Sequence, residues 1–408
     1  MKKLLPFIFL FYSGVLFAQG TWTQKADLLG AGTYSSVGFS IGLKGYILSG
    51  QDFLEYDQAT DTWTAKANFP GTARTGAVGF SIGTKGYLGN GKDSDPYKDD
   101  FWEYDQPTDT WTQKANFGGP ARAYAVGFSI GAKGYIGTGQ VEGGANDFWE
   151  YEPTTDIWTQ KADPVIPSVM QNRELAVGFS IGQKGYITLG SESQYGPYAY
   201  DLLEYDPAND TWINKADFPT IAGQFGRDKA TGFVLGNKAY VGTGYKKCGL
   251  SCSITYNDLW EWDQATDAWT QKANLTDTSR TYAVGLSIGN RGYIGGGTNS
   301  GVLYNDFWEY CDTCISLIGI ETIEQSVFTL YPNPATTTLT IQSTPDSYRD
   351  NSPQTTATIY NVQGQLVFTS IFDIQHSAFD ISSFSPGLYY LTLQSAEGTA
   401  TKKFEIIK

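Results

Sequence analysis

Apolar and polar positions fall into one short pattern that recurs from about residue 20 to about residue 310. In its clearest copy, a small, apolar, uncharged run (Ala125-Val-Gly-Phe-Ser-Ile-Gly131) precedes Lys133-Gly-Tyr-Ile136 and Gly139. Asn146-Asp-Phe-Trp-Glu-Tyr151 then alternates residue types, and Thr155-Asp-Ile-Trp-Thr-Gln-Lys-Ala162 closes the copy. Each copy predicts four strands. The first lacks charge, as a strand buried on both faces requires. An Ile-Gly-x-Lys-Gly turn leads into the second, whose Tyr and aliphatic residues favour extended backbone. Alternation marks the third, and the Asp-rich turn after it offers side chains that bond nearby backbone N–H groups. The fourth is the most polar and therefore outermost.

Six hairpin cores carry Tyr46, Tyr87, Tyr135, Tyr186, Tyr240 and Tyr293, followed four residues later by Gly50, Gly91, Gly139, Gly190, Gly244 and Gly297. The tryptophan strands carry Trp22, Trp63, Trp111, Trp158, Trp212 and Trp269, spaced by 41, 48, 47, 54 and 57 residues. Four antiparallel strands repeated at this spacing predict propeller blades. The two series are out of phase. Trp22 precedes every hairpin core, whereas Phe307-Trp-Glu-Tyr310 has no tryptophan strand after it. The leading strand is therefore expected to complete the last blade, shutting the ring and removing open sheet edges. The expected fold is all-β: a six-bladed propeller over residues 19–314, a linker over 315–325 and a small Ig-like β-sandwich over 326–408.

The glycine before each third strand, the Asn-Asp-x-Trp-x-Tyr stretch, the Thr-Asp-x-Trp element and an Arg before the first strand resemble Kelch repeats. The resemblance covers roughly residues 20–310 and departs in one respect: an adjacent double glycine occurs at the usual position only as Gly296-Gly297. WD40 repeats are a poor match, because no Gly-His…Trp-Asp pairing occurs.

Tracing strands from inner to outer assigns the loops to two faces. Turns joining first to second and third to fourth strands are short and nearly identical. The other face carries the irregular connections 92–99, 140–145, 191–200 and 245–256, and the inter-blade segments 164–172 and 219–226. Binding groups sit preferentially on variable loops held by a rigid scaffold. Arg74, Arg122, Arg173, Arg227 and Arg280 recur at one position on this face, with Thr33 in the first copy. They are candidate ligand-binding residues, a ring of guanidiniums at the channel mouth able to grip carboxylates of an acidic glycan or protein. The competing account is structural: the residue recurs because it bonds backbone of the blades. Glu142, Glu174 and Glu192 are peculiar to single copies, and Tyr195, Tyr198 and Tyr200 offer aromatic surface in one loop.

Charge and composition narrow the function. The formal net charge is −14, with no basic run beyond the N-terminus, so the footprint needed to displace counterions from nucleic acid is missing. The single histidine, His376, lies outside the repeats. That removes a His-dependent triad from the propeller and a copper site of the galactose-oxidase kind. The pairs Asp57/Asp61, Asp105/Asp109, Asp206/Asp210 and Asp263/Asp267 recur with the turn, which points to turn formation rather than acid/base chemistry. No catalytic residue, metal or cofactor is implied. Four cysteines form two close pairs, Cys248/Cys252 and Cys311/Cys314. In an exported chain these predict two local disulfides; a four-thiolate zinc site fits less well, because the pairs belong on opposite faces.

The ends concern delivery. Residues 1–18 read as a signal peptide: Met1-Lys2-Lys3, an apolar run to Phe17, then Ala18. The run is too short for a membrane span. Past the linker, Leu330-Tyr-Pro-Asn-Pro334, Pro386-Gly-Leu-Tyr-Tyr-Leu-Thr-Leu393 and the closing Lys402-Lys-Phe-Glu-Ile-Ile-Lys408 resemble the type A C-terminal sorting domain of type IX secretion. That resemblance implies a partner in the type IX machinery and a protein delivered to the cell surface or medium. A non-enzymatic binding or adhesion propeller for a glycan or protein partner ranks first. A secreted, copper-free, glycan-directed enzyme similar to a sialic-acid epimerase ranks second.

Overall fold

The structure is a computed structural model and describes residues 20–30, 32–93, 97–142, 146–165, 170, 172–193, 196–219, 226–248, 252–276, 278–312, 328–343, 355–361, 366–372, 377–395 and 398–407. These residues are all-β, with no helix among them. None of the described helical structure is thus long and apolar enough to cross a membrane. The chain divides into two compact units, Met1–Ser316 and Leu317–Lys408.

Six four-stranded antiparallel sheets make up the first unit. We number them by their inner strands: Val37–Ile41, Val78–Ile82, Val126–Ile130, Val177–Ile181, Thr231–Leu235 and Val284–Ile288. The second to sixth each contact the preceding inner strand, and the sixth also contacts the first. In five sheets the chain runs from inner to outer strand in order. The sixth takes its outer strand from the start of the chain: Thr21–Lys25 pairs with Phe307–Cys311, placing Trp22 opposite Tyr310.

Close approach of neighbouring sheets explains the small residues of the inner strands. A Cβ on Gly127 would come within 2.0 Å of Val78 Cγ1. One on Gly134 would come within 2.5 Å of the Phe80 ring. Phe80 thus occupies the space a side chain would need, an interlock of one sheet into the next. The fifth sheet is the exception: Ala239 replaces the glycine, and Trp262 stands where the others have tyrosine, 6.5 Å from the Phe179 ring.

A second set of contacts runs round the rim. The indole N–H of Trp63 donates to Ala26 O at 2.9 Å, Trp111 to Ala67 O at 3.0 Å and Trp158 to Ala115 O at 3.3 Å. Trp212 continues to Ala162 O, Trp269 to Ala216 O and Trp22 to Ala273 O. Each bond ties an outer strand to the preceding sheet, and the sixth completes the circuit. The recurring turn aspartate serves the same joint. Asp61, at φ 53°, accepts the Tyr56 hydroxyl at 2.8 Å and the Ala26 N–H at 2.9 Å. Burial works against its charge, but the Ala26 and Tyr56 hydrogen bonds prevail and hold its pKa below the ordinary carboxylate value.

The second unit packs a three-stranded sheet against a four-stranded one. The first consists of Phe328–Tyr331, Thr338–Ser343 and Ser377–Asp380; the second of Leu366–Phe372, Thr355–Asn361, Gly387–Ser395 and Gly398–Ile406. Leu339, Ile341 and Phe379 from one meet Ile359, Leu391 and Phe404 from the other in a single core. Alternation along Gly387–Ser395 buries Tyr389 and Leu391 and leaves Tyr390 exposed.

Candidate functional site

The five candidate arginines are buried, and their guanidiniums are engaged within the protein. Arg122 is 0 % exposed; it contacts both carboxylate oxygens of Asp147 at 2.7 and 2.8 Å and donates to Thr138 O and Pro120 O. Arg74 holds Asp100, Arg173 holds Asp201, Arg227 holds Asp258 and Arg280 holds Asp306. In four of these five pairs a tryptophan two residues after the aspartate adds its indole N–H. Burial opposes ionisation of Asp100 and Asp306, yet these hydrogen bonds keep both pKa values low. Arg74, Arg227 and Arg280 grip their aspartates through both terminal nitrogens, a planar pairing that suits arginine to anchoring the loop before the third strand. The first sheet lacks the pair: Thr33 instead shares hydrogen bonds with the hydroxyls of Ser36 and Ser49. All five candidate guanidiniums are thus paired with aspartates inside the protein, as the structural account of their recurrence requires.

The residues immediately after the arginines reach the mouth. Two positions on, each copy has one residue in the left-handed region: Ser35, Gly76, Tyr124, Leu175, Lys229 and Tyr282, with φ between 52° and 64°. Their backbones link one sheet to the next. Tyr124 N–H donates to Gly76 O, Leu175 to Tyr124 O, Lys229 to Leu175 O, Tyr282 to Lys229 O and Ser35 to Tyr282 O, at 2.8–3.3 Å. A left-handed non-glycine residue costs about 1 kcal/mol, so its recurrence at five of six positions marks a conformation imposed by this hoop of hydrogen bonds. Tyr124 and Tyr282 come from the third and sixth sheets, opposite each other in the circuit, and their ring centroids are 6.3 Å apart.

Charges peculiar to single sheets gather round these rings. Glu174 and Asp228 occupy the slot directly after Arg173 and Arg227, where the other copies have Tyr34, Thr75, Ala123 and Thr281. Glu174 is 7 % exposed, and burial and neighbouring charges, not hydrogen bonds, set its titration. Burial, then the nearby Asp228, pushes its pKa up to about 7 against the opposing pull of Lys92 and Lys229. Asp228 is fully buried, accepts the Ser191 hydroxyl at 2.8 Å and lies 3.5 Å from Lys229 Nζ. Burial raises its pKa too. Lys92 Nζ donates to Gln140 Oε1 at 3.0 Å and lies 5.0 Å from the Tyr124 ring centroid. Lys229 Nζ sits 4.4 Å from the Tyr245 ring and 5.5 Å from Tyr282. Chemically, the mouth offers aromatic faces, two ammonium donors and two carboxylates, one of which changes protonation near neutrality.

Sequence reasoning found Glu174 as a singular residue but gave it no partner. It missed Asp228, Lys92, Lys229, Tyr124 and Tyr282. The available signal was local: aligning the copies on the arginine exposes the two variable positions that follow it. Glu142 and Glu192 do not join this cluster; Tyr195 and His376 lie outside the described residues. Tyr198 instead accepts the Lys247 N–H at 3.0 Å through its hydroxyl. That contact seats an element expected to be plain loop: Tyr245–Lys247 and Ser253–Thr255 form a hairpin, and the Cys248–Cys252 disulfide closes its tip. Cys311 is also disulfide-bonded, while Cys314 lies outside the described residues.

Comparison with known proteins separates the two units. Residues 329–408 match the family model of the secretion system C-terminal sorting domain. The second unit is thus a type IX secretion sorting domain, which indicates passage to the cell surface and interaction with that machinery. No curated protein matches the chain significantly. Among solved structures, the one titled "Structure of YjhT" is similar with a TM-score of 0.60 and 18% sequence identity, covering 69% of this chain and 95% of that chain. At that identity the likeness shows a β-propeller-like fold alone.

Proposed function

We propose that the first unit is a six-bladed, Kelch-type propeller closed by its N-terminal strand, and that it serves as a binding or adhesion module at the cell surface. Its ligand is a glycan or a protein group seated at the mouth formed by Tyr124, Glu174, Asp228, Lys92, Lys229 and Tyr282. One observation carries this: at the mouth the repeat breaks down, with Glu174, Asp228, Lys92 and Lys229 each standing at a position where the other copies carry different residues, while the rim tryptophans recur in all six sheets and the arginine anchors in five. A scaffold gains nothing from such singularity; a ligand seat does. The N-terminal segment 1–18 acts as the signal peptide of the same export route.

The test is a glycan and protein-ligand array probed with the full-length protein and with Lys92→Ala. Selective retention by the parent and its loss in the variant, with an unchanged melting temperature, supports the seat. Equal retention by both proteins refutes it.

A second reading has one observation in its favour. Glu174, buried and with a pKa of about 7, is poised to exchange protons at neutral pH, as a general acid or base requires. A glycan-directed enzyme similar to a sialic-acid epimerase would use it so. Turnover of a bound sugar that disappears in Glu174→Gln, with binding preserved, would establish this reading over the first.

A further inference from the structure

At the mouth, three tyrosine rings pack against one another, Tyr34 edge to face with Tyr282 and Tyr124 tilted against Tyr282. Tyr124 and Tyr282 have centroids 6.3 Å apart, and Tyr282 and Tyr34 have centroids 6.2 Å apart. Tyr34 belongs to the first sheet's entry segment and is 48 % exposed. That segment runs beside the short hairpin Thr298–Asn299/Val302–Leu303: Thr33 N–H donates to Tyr304 O at 3.0 Å, Leu28 N–H to Asn305 O at 2.8 Å, and Gly32 abuts Leu303. Val302 and Leu303 are exposed beyond Tyr34. Tyr282, Tyr34 and the exposed apolar hairpin are therefore neighbours along one strip.

Its charge differs from that of the mouth. Residues 28–36 and 297–305 contain no Asp, Glu, Lys or Arg, in a chain of net charge −14. All four ionised groups lie at the inner end, around Tyr124 and Tyr282. An uncharged ligand with alternating apolar and hydroxyl-bearing faces fits the strip, and a polar terminus fits the mouth. Of the three rings Tyr34 is the exposed one, and the C–H face of a pyranose unit packs on such a ring while its hydroxyls stay hydrated. The Ser35 hydroxyl beside Tyr34 is buried without a partner among the described residues, a hydrogen-bonding group left for such a ligand.

Resting on the mouth as ligand seat, we infer that it is the terminal subsite of an extended glycan site, with neutral sugar units running from Tyr282 over the exposed Tyr34 toward Leu303. The experiment titrates full-length protein by calorimetry with β-glucan, xylan and chitin fragments, from single sugars to hexamers. Affinity for one series rises about tenfold or more between the single sugar and the trimer. Tyr34→Ala returns the longer oligomers to the affinity of the single sugar and leaves that sugar's own affinity unchanged. Leu303→Asp, a surface change well away from the mouth, weakens only oligomers longer than the trimer. Equal affinity for single sugar and hexamer, or loss of both in Tyr34→Ala with an unchanged melting curve, overturns the extended site and leaves the mouth standing. Failure of every sugar to bind, single units included, removes the extended site together with a glycan-binding mouth.

Discussion

Rim and mouth of the first unit are built from the same repeat and treat it in opposite ways. At the rim, six tryptophans make the same bond to six alanines, and the turn aspartates repeat one left-handed geometry. At the mouth the backbone hoop repeats, but the side chains it presents are Ser, Gly, Tyr, Leu, Lys and Tyr. The hydrogen-bonding backbone fixes where a side chain stands without fixing which one it is. Architecture therefore resides in what recurs, and recognition in what the recurring frame leaves free. Arginine sits at the border: its recurrence in five of six copies and its pairing with an aspartate in each place it with the rim.

Perturbing the two regions tests this division. Deleting residues 20–27 should have the largest effect, because it removes a whole strand and leaves Phe307–Cys311 as an open edge. Loss of a single cooperative melt and association on size-exclusion chromatography are expected; a monomer with the parent's melting curve would show that closure is dispensable. Arg122→Ala comes next. It strands Asp147 without its cation, and breaking such a buried pair costs roughly 3–5 kcal/mol. Denaturant unfolding should show that loss, whereas a stable variant with altered ligand binding alone would return the arginine to the mouth.

Glu174→Gln should act in the opposite direction, and only at higher pH. The folded-state pKa of about 7 exceeds the ordinary value of 4.5, so the folded protein prefers the protonated form. The group's stabilising contribution is complete below about pH 4.5 and is lost as pH rises through about 7. The variant should therefore match the parent near pH 4 and be more stable at pH 8, by about 1–3 kcal/mol. Identical stability curves across that range would show that Glu174 is not desolvated. Trp111→Phe should have the smallest effect: it keeps an aromatic ring but loses part of the indole and its N–H bond to Ala67, a loss of about 1–2 kcal/mol by thermal unfolding. A much larger loss would mean that this rim bond does more than join neighbours.

Much of the frame was legible in the chain. The out-of-phase Trp22 foretold its place opposite Tyr310, because a strand without a local partner must find the one sheet lacking its fourth member. The spacing of Cys248 and Cys252 foretold their bond. The compensating pair Ala239 and Trp262 was not legible, since each looks like an isolated deviation until the sheets are stacked. The same holds for the mouth. Glu174 and Asp228 are 54 positions apart, and only the curvature that sets the fourth sheet beside the fifth makes their charges neighbours. Periodicity reports contacts within a repeat; contacts between repeats at singular positions have no period to report. The arginines illustrate the converse, since a recurring charge on the variable face is compatible with ligand or scaffold until its partner aspartate is placed.

The pairing of Thr21–Lys25 with Phe307–Cys311 also sets a timetable. Synthesis delivers the first of these segments at the outset and the second only after nearly three hundred further residues. Until then the earliest-made strand has no seat, and the growing polypeptide remains an open coil of sheets with loose ends. Joining them takes one late, long-range event, so the finished hoop is a product of the complete chain rather than of any fragment emerging before it.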